Sequence, residues 1–313
     1  MHGSKSSDST IREELLRFNL ISEASLELFS QGTRDNPEIS VFRDKNTGII
    51  FHDFYVGDEF FKSTNGGFDG LNRNSDVAVG SPQSGLRLEL FNDSKRRYIS
   101  NLPFIANRLV LDFGCGEGGF LRCAREVAKG VVGVDLNDSC REKLKRDGIG
   151  SWSSVPEEID VDTVTMFHTL EHVPSQINTL MGVYDALKNS ATRRDSQGVA
   201  IVEVPHANDF LLTSLASQEF RKFTLRSDHC ILHTRTSLIK FMEFVGFEKV
   251  SVRSVQRYPL SNHLGWLSRN KPGGHMSDLS SIDSNNLHSE YENSLARNNA
   301  TDTLVAFGFV DMN

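Results

Sequence analysis

The run Val110-Leu111-Asp112-Phe113-Gly114-Cys115-Gly116-Glu117-Gly118-Gly119-Phe120-Leu121 constrains this chain more than any other part of it. An apolar stretch enters as a strand, crowded glycines turn the chain, and an amphipathic helix leaves. Glycine tolerates positive φ and lets a ligand approach the backbone where a side chain would collide. The helix start then offers unpaired N–H groups and the positive end of a dipole to a polar or anionic group. Gly114, Gly116 and Gly119 also fit the dinucleotide-binding spacing, so the glycines alone do not choose the ligand. Asp112 discriminates: a carboxylate two positions before the first glycine repels a pyrophosphate and suits a ligand that carries an ammonium group.

Downstream, Val131-Val132-Gly133-Val134-Asp135 reads as a second short buried strand ending in an acid. An acid about twenty residues beyond the turn can accept both ribose hydroxyls of an adenosine. Its plainer role is to N-cap the following helix, 137–145, but Asn137 and Asp138 already supply caps there. An adenosine joined to a cationic amino acid describes S-adenosylmethionine (SAM) better than NAD.

With a third run, Val164-Thr165-Met166-Phe167-His168-Thr169-Leu170-Glu171-His172-Val173-Pro174, the chain resembles the class I SAM-dependent methyltransferases. The Leu-Glu-His-Val element is similar to that of the group holding ubiquinone-type O-methyltransferases and sugar C- and O-methyltransferases. The resemblance covers roughly residues 90 to 257. It implies SAM as cofactor, S-adenosylhomocysteine (SAH) as product, and a cofactor site at Asp112, Gly114, Cys115, Gly116, Gly118, Asp135, Leu136, Phe167 and His168.

Composition narrows the alternatives. Across 313 residues, 34 Lys and Arg face 41 Asp and Glu, a net charge of −7 with pI near 5.8, which lacks the basic face of a broad nucleic-acid footprint. No apolar run reaches the length of a membrane span. The first ten residues lack the apolar core of a signal peptide and read as a disordered start. Cys115, Cys123, Cys140 and Cys230 show no metal-type spacing, and no cysteine precedes Cys115 to build the zinc element seen in relatives. Reduced thiols in a cytoplasmic protein are expected, with no metal.

The expected fold is α/β: a doubly wound Rossmann-like seven-stranded sheet with a terminal antiparallel strand pair, an N-terminal extension, and an insertion between the last two strands. The extension, 1–85, holds a helix over 10–30, a hairpin of 39–43 with 49–55, and a long polar loop over 62–85. The core, 86–257, alternates strand and helix, which argues for a parallel sheet covered on both faces. A helix over 118–129 ends at Gly130, and strand 162–167 leads to a helix over 174–188 with Ile177, Leu180, Val183 and Leu187 inward. The insertion, 258–302, is read as an acceptor wall or lid with a flexible middle at 277–286, and 303–313 as the last core strand.

Methyl transfer needs the acceptor aligned and often deprotonated, and histidine titrates near neutrality. His229 leads as general base, with Asp228 or a backbone carbonyl to fix its tautomer; in the resembled sugar enzymes an acid followed by His stands here. His172 comes second, His233 third, and each also suits a helix cap or a polar core niche. Arg97 and Tyr98 can reach the SAM carboxylate, and Trp152 and Ser153 can border adenine. In the insertion, Arg257, Tyr258, Asn262, His263, Trp266 and His275 suit a sugar or nucleotide-sugar acceptor and equally a subunit interface, as in a homodimer. The expected activity is methylation of a small polar acceptor, a sugar or glycan-precursor hydroxyl. A quinone or phenolic acceptor, a non-catalytic SAM-binding protein and an NAD(P)-dependent oxidoreductase are the alternatives.

Overall fold

The computed structural model describes residues 10–63 and 92–311. The first nine residues of the expected disordered start, and the expected polar loop from residue 64 on, lie outside the described residues.

Among the described residues the main sheet has seven strands: β4 (Leu109–Phe113), β5 (Gly130–Val134), β6 (Gly150–Trp152), β7 (Thr163–Phe167), β8 (Gly198–Pro205), β10 (Glu248–Val255) and β11 (Thr303–Val310). Their spatial order is β10-β11-β8-β7-β4-β5-β6. Strands β4 to β8 run parallel, and β11 is antiparallel to both β8 and β10. This is the expected doubly wound sheet with its terminal antiparallel pair. Val110, Leu111, Val164, Met166 and Val199 to Val202 are buried on both faces, which explains continuous apolar runs where a half-exposed strand would alternate.

Helices α3 (92–100), α4 (Leu102–Ile105), α5 (Gly119–Ala124), α6 (Asp138–Arg146), α7 (Gln176–Arg194), α8 (Gln218–Thr224) and α9 (Arg235–Val245) cover and connect the strands. On α7 the spaced Ile177, Leu180, Val183 and Leu187 are all buried. Chain β4 exits to β5 on one side while β7 lies on the other, so the carboxyl ends of β4 and β7 form the switch point where open α/β sheets bind ligands.

Several elements differ from expectation. The helix expected over 10–30 stops after one short piece, α1 (Ile11–Arg17). Its Thr10–Glu13 capping box starts it well, but Asn19 turns left-handed (φ 55°) and the Leu20 N–H closes back on Leu15 O at 2.9 Å. Residues Leu26–Gln31 form β1 instead, paired antiparallel with β2 (Ser40–Asp44); a long-range ladder outweighs local helix propensity. Strand β2 pairs with β3 (Ile50–Phe51), and β3 pairs with β9 (Ile231–Leu232), giving a second sheet β1-β2-β3-β9.

Helix α5 ends at Ala124, and Gly130 is no cap: it opens β5 opposite Leu109, whose side chain a Cβ would meet at 3.0 Å. The insertion is built from α10 (Leu260–Arg269), two 3-10 turns and α11 (Asn285–Arg297). Its expected flexible middle is structured, because Ser277 and Ser284 cap successive turns and Asp283 accepts the Ser261 hydroxyl at 2.5 Å.

Candidate active site

The glycine turn follows β4. Gly114, Gly116 and Gly118 take φ of 75°, 52° and 77°, a region that strains any other residue. A Cβ on Gly114 would lie 2.2 Å from Thr169 Oγ1, so the turn packs directly against the segment leaving β7. Gly118 precedes α5 as its N-terminal residue. Cys115 lies beneath the turn, its Sγ occupying the space a Cβ on Gly133 would need, and burial pushes its thiol pKa up, out of the reactive range.

Asp135 ends β5 and binds the turn: its Oδ2 accepts the Gly116 N–H at 2.7 Å and its Oδ1 the Asn137 N–H at 2.8 Å. Asn137 itself caps α6 through the Ser139 and Cys140 N–H groups, so Asp135 does not serve as that cap. Half-buried Leu136 follows. Asp112 is buried and accepts the Thr165 hydroxyl at 2.7 Å. Burial pushes its pKa up to about 7, against the opposing effects of Thr165 and Arg97.

Phe167 lies edge-on to Phe120, with Arg97 over its ring at 4.8 Å. Arg97 Nε and Nη2 both donate to Glu203 Oε1, at 2.9 and 2.7 Å. Arg97 is therefore engaged inside the protein and not extended toward a ligand carboxylate. Tyr98 packs against the apolar cluster around Ile105. Trp152 is exposed at the end of β6, where its carbonyl accepts the Asp135 N–H.

Past β7, His168 holds a left-handed backbone (φ 50°). Its Nδ1 is 3.1 Å from Glu171 Oε1, and its Nε2 is 3.2 Å from Arg257 Nη1. Arg257 also binds Asp93, and its N–H donates to Asp302. This ion network fastens the insertion to the end of β7. Glu171 is 1% exposed, and its Oε2 has no hydrogen-bond partner among the described residues. Burial alone would raise its pKa, but His168, joined by His172 and His229, outweighs burial and holds it at about 2.

His172 and His229 meet edge-to-face, ring centroids 4.9 Å apart. The expected partner of Asp228 was His229; the structure gives it to His172, whose Nδ1 is 2.7 Å from the Asp228 carbonyl. The Asp228 carboxylate is taken by Arg226 at 2.7 and 2.8 Å. His229 Nδ1 is buried without a partner among the described residues, and burial, with His172 beside it, pushes the ring's pKa down to about 3. His233 is spent on Gln176 and Ser237 at a helix junction.

One ligand atom from each of Glu171, His172 and His229 lies within 4.8 Å of the others. Residue spacing hid this cluster, because two members are adjacent and the third is brought in by the loop before β9. Phe61, on α2 (Asp58–Lys62), reaches His172 at 5.4 Å, while the Phe61 and Ser63 carbonyls accept the Asn137 amide. The extension thus touches both the Asp135 end and the histidine end of the site; neither contact was legible in sequence. Asn262, His263 and Trp266 are buried within the insertion, Trp266 between Phe220 and Phe223 and His263 against Tyr291 and Phe210. Tyr258 and His275 pack on each other at 5.2 Å. None of the described helices is long and apolar enough to cross a membrane.

The methyltransferase domain family model matches residues 87–252, just over half of the chain. An uncharacterised protein of Haemophilus influenzae is 30% identical over 123 residues, 33% of this chain and 47% of that protein. The chain spans about half the length of this curated relative. Among solved structures, a SAM-dependent methyltransferase from Archaeoglobus fulgidus is 18% identical with TM-score 0.47, over 70% of this chain and 94% of that one. An S-adenosylmethionine-dependent methyltransferase from Mesorhizobium loti is 17% identical with TM-score 0.44, over 71% and 100%.

Proposed function

The chain belongs to the class I SAM-dependent methyltransferase family, and from that premise we propose that it methylates a hydroxyl of a small polar acceptor, a sugar or glycan precursor, docked beside Glu171, His172 and His229. The turn's residues fit SAM: three left-handed glycines keep side chains off the turn, Asp135 sets a carboxylate at its edge for ribose, and Asp112 suits the ammonium group. Bound there, SAM supplies a methyl group made electrophilic by its positive sulfur.

The chain's own part is binding, orientation and proton handling. Asp112 and the turn hold the amino-acid end, Asp135 the ribose, and Leu136 with Phe167 the apolar sides. His172 and His229 face the acceptor hydroxyl, with Asp228 holding His172 in one tautomer. Phe61, packed on His172, adds an aromatic wall for a sugar, and Arg257 and Tyr258 stand at the insertion's edge of the same region.

The observation that carries this reading is the contact of Gly114 with Thr169. It sets the glycine turn against Thr169, two residues before Glu171, which supports a polar and not an apolar cluster next to a methyl donor held on that turn. The test is a thermal-shift series with SAM, SAH and NAD, followed by transfer of labelled methyl to panels of sugars, nucleotide-sugars and phenols. Stabilisation by SAM and SAH alone, with label entering sugar hydroxyls, is expected. Stabilisation by NAD alone overturns the cofactor, and label entering only phenols overturns the acceptor.

A further inference from the structure

We propose that Glu171, His172 and His229 form a binding site for a divalent transition-metal ion that holds the acceptor's hydroxyl oxygen. The ion's site rests on these side chains alone; only its task toward the acceptor rests on the methyltransferase reading.

Three separate features belong to one cluster. Glu171 Oε1 is committed to His168, and Oε2, deeply buried, has no partner among the described residues. A buried carboxylate oxygen left bare is costly, and native proteins rarely leave one so. His229 Nδ1 is likewise buried and bare. His172 Nδ1 faces the Asp228 carbonyl at 2.7 Å, so it carries the proton and the lone pair lies on Nε2. That is the arrangement found behind metal-bound imidazoles, where the second nitrogen donates to a carbonyl or carboxylate. His168 plays the same supporting part for Glu171.

The spacing suits an ion. One ligand atom from each residue lies within 4.8 Å of the others, and two donors on opposite sides of an ion at about 2.1 Å are ~4.2 Å apart. Two imidazoles with one carboxylate favour manganese, iron, cobalt or zinc over magnesium or calcium, which prefer oxygen ligands. Three protein ligands leave open positions, and an ion there would lower the pKa of a bound hydroxyl.

The test uses the full chain, stripped with chelator and titrated with Mn²⁺ (free-ion resonance) and Co²⁺ (visible absorption). One bound equivalent is expected, with affinity falling tenfold or more in His229→Ala and in Glu171→Gln, while calorimetric SAH affinity stays within about twofold. The ion should also raise the melting temperature of the native protein and not of the variants. If His229→Ala fails to fold, Glu171→Gln, which preserves shape, carries the comparison. No binding of Mn²⁺, Co²⁺ or Zn²⁺ at millimolar concentration, or binding unchanged in both variants, overturns the site. Full methyl transfer in chelator with SAH still bound overturns the ion's task and leaves the methyltransferase reading standing. Loss of SAH binding in the native protein strikes that reading and not the metal site.

Discussion

Asp135 Oδ2 accepts the Gly116 N–H at 2.7 Å, so the acid that ends β5 is fastened to the glycine turn that follows β4. The carboxylate therefore shapes the turn. Replacing it with Ala should weaken SAH by about 1.5–3 kcal/mol for lost charge-assisted hydrogen bonds, and somewhat more through slackening of the turn. Calorimetry on the folded variant measures this; unchanged affinity rejects the ribose assignment.

Gly114 has two reasons to be glycine, its φ of 75° and Thr169 at 2.2 Å from any Cβ. Gly114→Ala should cost on the order of 2–4 kcal/mol of stability through strain and overpacking and abolish measurable SAH binding. Trimming the obstacle in Gly114→Ala/Thr169→Gly should restore part of the stability. Urea unfolding of both decides it, and equal midpoints for the single variant and the native protein refute the close packing.

Burial places the Asp112 pKa near 7. A ligand ammonium favours the ionised carboxylate, so SAH should bind more tightly as pH rises through about 7 and release a proton when it binds below that pH. Asp112→Asn should flatten the profile. Calorimetry in buffers of different ionisation enthalpy reads the proton directly; a profile unaltered in the variant sinks the assignment.

Asp209 is buried, its pKa pushed up to about 7 by burial and by Asp302, although it accepts the Leu211 N–H at 2.7 Å. The folded protein keeps a proton that the unfolded chain releases above pH 3.8, so stability falls as pH climbs from about 4 to about 7 and levels off beyond. In Asp209→Asn this component disappears, and its stability relative to the native protein should improve by about 1–4 kcal/mol between pH 5 and 8. Chemical unfolding at those two pH values tests it; parallel curves contradict the burial argument.

His229→Ala should leave SAH affinity nearly native while kcat drops by about 10²-fold or more. Single-turnover kinetics with near-native chemistry would move the acceptor-side role away from this residue.

The central strands were readable because burial on both faces writes long apolar runs, and the turn because glycines at fixed offsets have few other uses. Strand β1 was not, since Leu26–Gln31 is held by pairing with Ser40–Asp44 and not by its own propensity. The order of 277–286 had a readable sign in the capping serines Ser277 and Ser284. The grouping of Glu171 and His172 with His229 carries no sequence period at all; it exists only once β9 is seated. The link from Asp93 through Arg257 to His168 is similarly long in range, and composition gives no hint of it.

That seating has a consequence for how the protein comes together. Phe51 pairs with Ile231, roughly 180 residues later in the chain, and Ile231 stands two positions after His229. The early hairpin acts as a splint for the loop that bears His229, and it must wait for those later residues to be synthesised before it finds its partner. Non-local pairings of this kind form slowly. The Rossmann-like sheet can gather from neighbouring strands well before then, so a young molecule should hold its glycine turn before it holds its histidine pair. A nick within residues 10–55 would then loosen the His172–His229 pair while leaving the glycine turn standing.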